Sequence, residues 1–158
     1  MVTIEYEILR QPSKDYDQIL QLILDSIESS PWKGEKISLP HVKMTLHFFL
    51  DTVDIARRVV ILARQGDEIV GVIGGMIVQQ PVLGMSCASE LMWYVKPACR
   101  KKLVAKTLLE MFEAWANNND AQYITLSHYV NELGETVGEL YKKRGFKPME
   151  VSYIKELK

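Results

Sequence analysis

A cluster of cations stands where a strand-like stretch gives way to a helix: Arg100, Lys101, Lys102 and Lys106 follow Pro97. Beyond it Val104, Leu108, Met111, Phe112 and Trp115 recur at helical spacing. The unbonded amide N–H groups of a helix's first turn, with the positive end of its dipole, form a seat for phosphate, and side-chain cations deepen the same potential. Main-chain N–H groups carry such a contact, so Arg100, Lys101, Lys102, Val104, Ala105 and Lys106 are the candidates for holding a diphosphate. The bland alternative is a solvated helix start. Upstream, Glu90 opens an aromatic-rich strand and offers a carboxylate that takes up a proton or simply faces solvent. Cys99 precedes the cationic turn, a setting that lowers a thiol pKa, but with no partnered base it reads as an inert small residue.

Val95-x-Pro97-x-x-Arg100-x-x-x-x-Ala105-x-x-Leu108-Leu109 resembles the acetyl-CoA signature of the GNAT N-acetyltransferase superfamily, whose core pattern is Q/R-x-x-G-x-G/A. Leu140-Tyr141-Lys-Lys-Arg-Gly145-Phe146 resembles the family's C-terminal helix, which ends in Tyr-x-x-x-Gly-Phe. The two occur in the family's order, separated by the strand-like stretch at residues 123–130. One position departs from the pattern: the central glycine is Leu103, whose β-carbon would crowd a backbone meant to approach phosphate closely.

The resemblance implies acetyl-CoA as acyl-donor substrate and transfer of its acetyl group directly to a primary amine. It implies a splayed gap between two central parallel strands, here residues 89–96 and 122–130, with the Val95 N–H offered to the acetyl carbonyl. Tyr141 matches the family's general acid, and a phenol with a pKa of about 10 keeps its proton at neutral pH. Glu90 then becomes the base for the incoming ammonium. Asn131, with His128 and Tyr129, would touch the pantetheine arm or the acceptor amine. Trp32, His47, Phe48 and Trp93 either wall the acceptor pocket or belong to the core. The other reading of the same resemblance is a non-catalytic acyl-CoA-binding or protein-interaction module on the same scaffold, to which the leucine at position 103 would belong.

The periodicities supply the elements that must hold these groups. Alternation predicts a strand over residues 2–10, ended by Pro12. Ser13 then serves as N-cap to a helix from Tyr16 to about Ser29, with Ile19, Leu22, Ile23 and Ile27 on one face. A second helix runs from about Pro40 to Thr52. Residues 57–64 and 68–78 form a hairpin around Gln65-Gly66-Asp67, and Gly71, Gly74 and Gly75 within it signal a bulge or close backbone approach. The strand at 89–96, the helix from 104 to near Trp115, a strand at 122–130, a helix at 133–143 with Gly145 as its left-handed C′ residue, and a last strand at 148–157 follow. Alternating elements of this kind predict an α/β fold: a central mixed sheet flanked by about four helices, in one domain covering residues 1–158.

Composition narrows the partners. The 158 residues carry a formal charge of −1, which advertises neither nucleic acid nor an anionic membrane. The acidic, alternating N-terminus is unlike a signal peptide and no apolar run reaches membrane-span length, so a soluble cytoplasmic protein is expected. Cys87 and Cys99 lack neighbours at ligand spacing, so no metal site is expected. The acceptor is a small-molecule or peptide amine of unspecified identity, and the final strand, able to pair outside its own sheet, allows a homodimer.

Overall fold

The computed structural model describes residues 3–10, 14–50, 56–100 and 103–157. The chain divides into two compact units, Met1–Ser127 and His128–Lys158, taken here in turn.

The first unit is built on a five-stranded sheet in the order β1-β2-β3-β4-β5: β1 (Ile4–Ile8), β2 (Arg58–Gln65), β3 (Glu68–Gln79), β4 (Ser86–Val95) and β5 (Tyr123–Thr125). The first four are antiparallel neighbours, and β5 joins β4 in parallel. Gly66, at φ +63°, turns β2 into β3 at the expected hairpin. Helices α1 (Tyr16–Glu28) and α2 (Leu39–Leu50) connect β1 to β2, and α3 (Val104–Asn118) connects β4 to β5. Alternation gives each strand two faces. Val60, Leu62 and Val72 turn to one side, where Ile19, Leu22, Leu46, Phe49 and Leu50 of α1 and α2 cover them. Gly71 turns to the other, where a side chain would meet Leu108 and Val104 of α3. The sheet is thus sandwiched between helices, as the sequence predicts.

Several boundaries differ from the sequence reading. Asp15, not Ser13, is the N-cap of α1, and Ser13 itself lies outside the described residues. On α2, Leu50 is buried, whereas Phe48 is exposed beneath the Arg58 guanidinium, 4.3 Å from its ring centre. Helix α3 runs past the expected end near Trp115 to Asn118, with Asn119 as C-cap and Asp120 at φ +58°. The strand expected at 122–130 shrinks to three residues, because β5 matches β4 only from Cys87 to Ser89.

In the second unit, α4 (Glu132–Lys143) starts at Asn131, whose side-chain oxygen accepts the Gly134 N–H at 2.7 Å. Its end follows the sequence closely. Gly145 sits at φ +90°, its N–H donates to the Lys142 carbonyl, and the Phe146 N–H donates to the Tyr141 carbonyl, both at 3.0 Å. That bond pair is a Schellman motif, completed by the ring of Phe146 5.9 Å from that of Tyr141. The last expected strand is absent: residues 148–157 form no strand, and Met149, Val151, Tyr153, Ile154 and Leu157 are exposed. Alternation alone does not make a strand, since the ladder needs a partner edge to bond with.

Candidate active site

The site in the first unit begins where β5 stops. The parallel pairing runs Cys87↔Tyr123, Ala88↔Ile124, Ser89↔Thr125 and goes no further, while β4 continues to Val95. The hydroxyls of Ser89 and Thr125, 3.0 Å apart, close the paired end. Past them the edge of β4 is uncovered by β5. A bulge lies at the same level: Gly75 pairs with Glu90 and Gly74 with Met92, leaving Leu91 as an extra residue. The expected signal at the glycines is therefore a bulge and a close approach together. A side chain on Gly75 would collide with the Ser89 carbonyl oxygen and reach 2.9 Å from the Phe112 ring.

The bulge re-aims Glu90. In a regular strand it would share a face with Met92 and Tyr94, which pack against the core beneath α1 and α2. The extra residue gives it instead the parity of Gly75, whose face looks to α3. Burial raises its carboxyl from 4.5 to about 7, against the opposing effect of a hydrogen bond from the Ser127 main chain just past β5. A carboxyl raised toward neutrality suits the uptake of a proton near neutral pH.

At the far end of the uncovered edge, Val95 is buried and the Lys96 N–H donates to the Val70 carbonyl at 2.9 Å. The alternation of an antiparallel ladder therefore turns the N–H and C=O of Val95 away from β3, toward the open side. Arg100 Nε donates to that carbonyl at 3.0 Å, and its guanidinium stands 5.6 Å from the Tyr94 ring centre. Arg100 is thus engaged with the strand end, a task its place in the motif did not reveal. A 3₁₀ turn, Pro97–Cys99, leads on to α3. Cys99 is buried, with Sγ 3.8 Å from Gln65 Oε1, in keeping with an inert thiol. Lys101 and Lys102 lie outside the described residues.

Leu103 is the N-cap of α3, with φ 59° and ψ 6°, and no side chain caps the helix. The first intrahelical bond runs from the Thr107 N–H to the Leu103 carbonyl, so the N–H groups of Val104, Ala105 and Lys106 precede the ladder and have no acceptor within it. Val104 is buried, and the Lys106 ammonium lies 3.7 Å from Glu110. Position 103 thus takes a left-handed backbone, a conformation that glycine adopts without the β-carbon penalty. Leucine meets it under strain and sends its side chain outward, 68% exposed.

Among known sequences, residues 23–146 match the family described as Acetyltransferase (GNAT) family. The chain belongs to this family. It is by that membership an acetyltransferase, and the mixed sheet with four α-helices among the described residues is the GNAT fold. A search of curated protein sequences finds no match. Solved structures agree on the fold. An aminoglycoside acetyltransferase from an uncultured soil metagenomic sample, in complex with sisomicin, superposes with a TM-score of 0.73 at 13% identity, over 98% of this chain and 97% of that one. AAC(6')-Iy, bound to the bisubstrate analog CoA-S-monomethyl-acetylneamine, gives 0.73 at 15% identity over 98% and 99%. Glucosamine-6-phosphate N-acetyltransferase from Arabidopsis thaliana gives 0.72 at 12% identity over 99% of each chain.

In the second unit of this GNAT chain, Tyr141 is buried on α4, near Phe146 and with the ring of His128 6.1 Å away. Asn131 spends its side-chain oxygen on the cap of α4. Of the aromatics considered for an acceptor wall, Trp32 is 46% exposed, and His47 stacks on Tyr16 with ring centres 4.8 Å apart. No helix among the described residues is long and apolar enough to cross a membrane.

Proposed function

We propose that this GNAT enzyme transfers the acetyl group of acetyl-CoA directly to a primary amine. The observation that carries the reading is the uncovered stretch of β4 beyond Ser89, with Glu90 at one end and the outward Val95 N–H at the other. The residues suit the donor: the amides of Val104, Ala105 and Lys106 would hold its diphosphate, and the Val95 N–H its thioester carbonyl. Arg100 serves by fixing the Val95 carbonyl, with Lys101 and Lys102 adding positive potential.

When bound, acetyl-CoA supplies the activated acyl group. Glu90 takes one proton from the acceptor ammonium, freeing a lone pair for attack on the carbonyl carbon. As the carbon–nitrogen bond forms, the carbon–sulfur bond breaks and its electron pair leaves on sulfur. Tyr141 gives the phenolic proton to that sulfur, and the nitrogen's surplus proton replenishes the phenol through water. No covalent enzyme intermediate is needed.

The acceptor is a small-molecule or peptide amine. Aminoglycosides and amino sugars head the trial panel because they are named for the structural neighbours. Thiol release from acetyl-CoA with sisomicin, glucosamine 6-phosphate and alanyl peptides tests the reaction. Titration calorimetry tests the donor. Binding of acetyl-CoA without release for any amine would favour the non-catalytic acyl-CoA-binding module instead, and absence of binding would leave only the protein-interaction module.

A further inference from the structure

Two glycines inside α4 break the rule that helix interiors avoid glycine, since each costs stability relative to alanine. Gly134 and Gly138 stand four apart, and Tyr141 follows at the next turn of the same face. A side chain on Gly134 would collide with the Tyr129 carbonyl and come 3.0 Å from His128 Nδ1. One on Gly138 would lie 2.9 Å from His128 Nε2. The glycines therefore form a depression in which the histidine ring lies, with Tyr141 next along. His128 Nδ1 is 3.0 Å from the Tyr129 carbonyl oxygen. A carbonyl only accepts, so this contact places the hydrogen on Nδ1 and fixes the ring's orientation. The Asn131 cap, bonded to the Gly134 N–H, holds residues 129–131 across the first turn of the helix.

We propose that His128 is a positioning residue for Tyr141, seated by Gly134 and Gly138 and held by the Tyr129 carbonyl so that its ring fixes that of the proton donor. This rests on the general-acid reading of Tyr141 and adds to it the device that sets the phenol's direction. A buried tyrosine between ring neighbours keeps one orientation. With the imidazole removed, the phenol gains freedom that proton transfer to a defined sulfur does not tolerate.

The test uses the full chain with ring-¹³C-labelled tyrosine, the Tyr141 resonance being assigned by its loss in Tyr141→Phe. His128→Ala and Gly138→Ala should both move that resonance, the second without altering histidine or tyrosine and with a residue that favours helix. In thiol release with the most active amine of the panel, both should lower kcat roughly tenfold or more while leaving the KM for acetyl-CoA unchanged. In a Tyr141→Phe background His128→Ala should cost nothing further. An unmoved resonance in both variants, or an undiminished loss in the Tyr141→Phe background, overturns the inference. Full turnover by Tyr141→Phe would overturn the general-acid reading instead, and the resonance would still decide whether His128 holds the ring.

Discussion

The start of α3 and the end of α4 each carry half of the family resemblance, and they are built to different standards. At the end of α4 every residue of the motif has a geometric duty. Gly145 supplies the left-handed turn, Phe146 closes the longer hydrogen bond, and its ring approaches that of Tyr141. At the start of α3 the same left-handed backbone falls to Leu103, with no side-chain cap. For a residue with a β-carbon that conformation costs about 1–2 kcal/mol. A backbone requirement can thus be met by an ill-suited residue at moderate cost. A requirement for one functional group in one place cannot.

The largest effect should come from the well-built end. Tyr141→Phe is expected to lower kcat by a factor of about 10² to 10⁴, the span of general-acid contributions, with little change in acetyl-CoA affinity by calorimetry. Equal turnover in both proteins would take the phenol out of the mechanism.

Glu90→Gln comes next, through the pH profile. With a carboxyl at about 7, kcat/KM should rise with pH through neutrality in the parent and flatten in the variant. Stability gives an independent reading. The folded state holds the proton up to about pH 7, whereas the unfolded chain releases it near 4.5. Between those values the unfolded state binds fewer protons, so unfolding free energy falls as pH rises and the Glu90 penalty is complete above both. Thermal melts of Glu90→Gln should lose that slope and lie above the parent at pH 8. Parallel curves would deny the raised pKa.

The smallest effects belong to the backbone positions and bear most directly on the contrast. Leu103→Gly should relieve the strain, raising stability by about 1 kcal/mol in urea denaturation, less the greater freedom of glycine in the unfolded chain. If the side chain also obstructs the diphosphate seat, acetyl-CoA will bind more tightly. Gly145→Ala should lose a similar amount. Equal and opposite shifts would show that the two termini differ in residue and not in required geometry.

Much of this was legible in the sequence because it is local. Helical spacing located α1, α3 and α4, and Gly66 and Gly145 marked turns whose φ they were needed to supply. The glycine cluster of β3 announced the bulge without saying which residue of β4 is extra, since register depends on both strands. What could not be read is non-local. Residues 148–157 alternate as a strand does, yet pairing is decided by an available edge and not by alternation. The Arg100 contact with Val95 and the Ser127 bond to Glu90 join residues whose meeting depends on the turn and the sheet. Gly134 and Gly138 carry a sequence signal of their own, a four-residue spacing within a helix, beside the louder Tyr-x-x-x-Gly-Phe.

Leu91 is half exposed, opposes no residue of β3 and sits two residues past Ser89, the last residue of β4 that pairs with β5. Excising it would remove the bulge while leaving the other β3 partners of β4 in register. On the proposed reading, the opening toward the substrate therefore lies beside one surplus amino acid that has no assigned part in the chemistry.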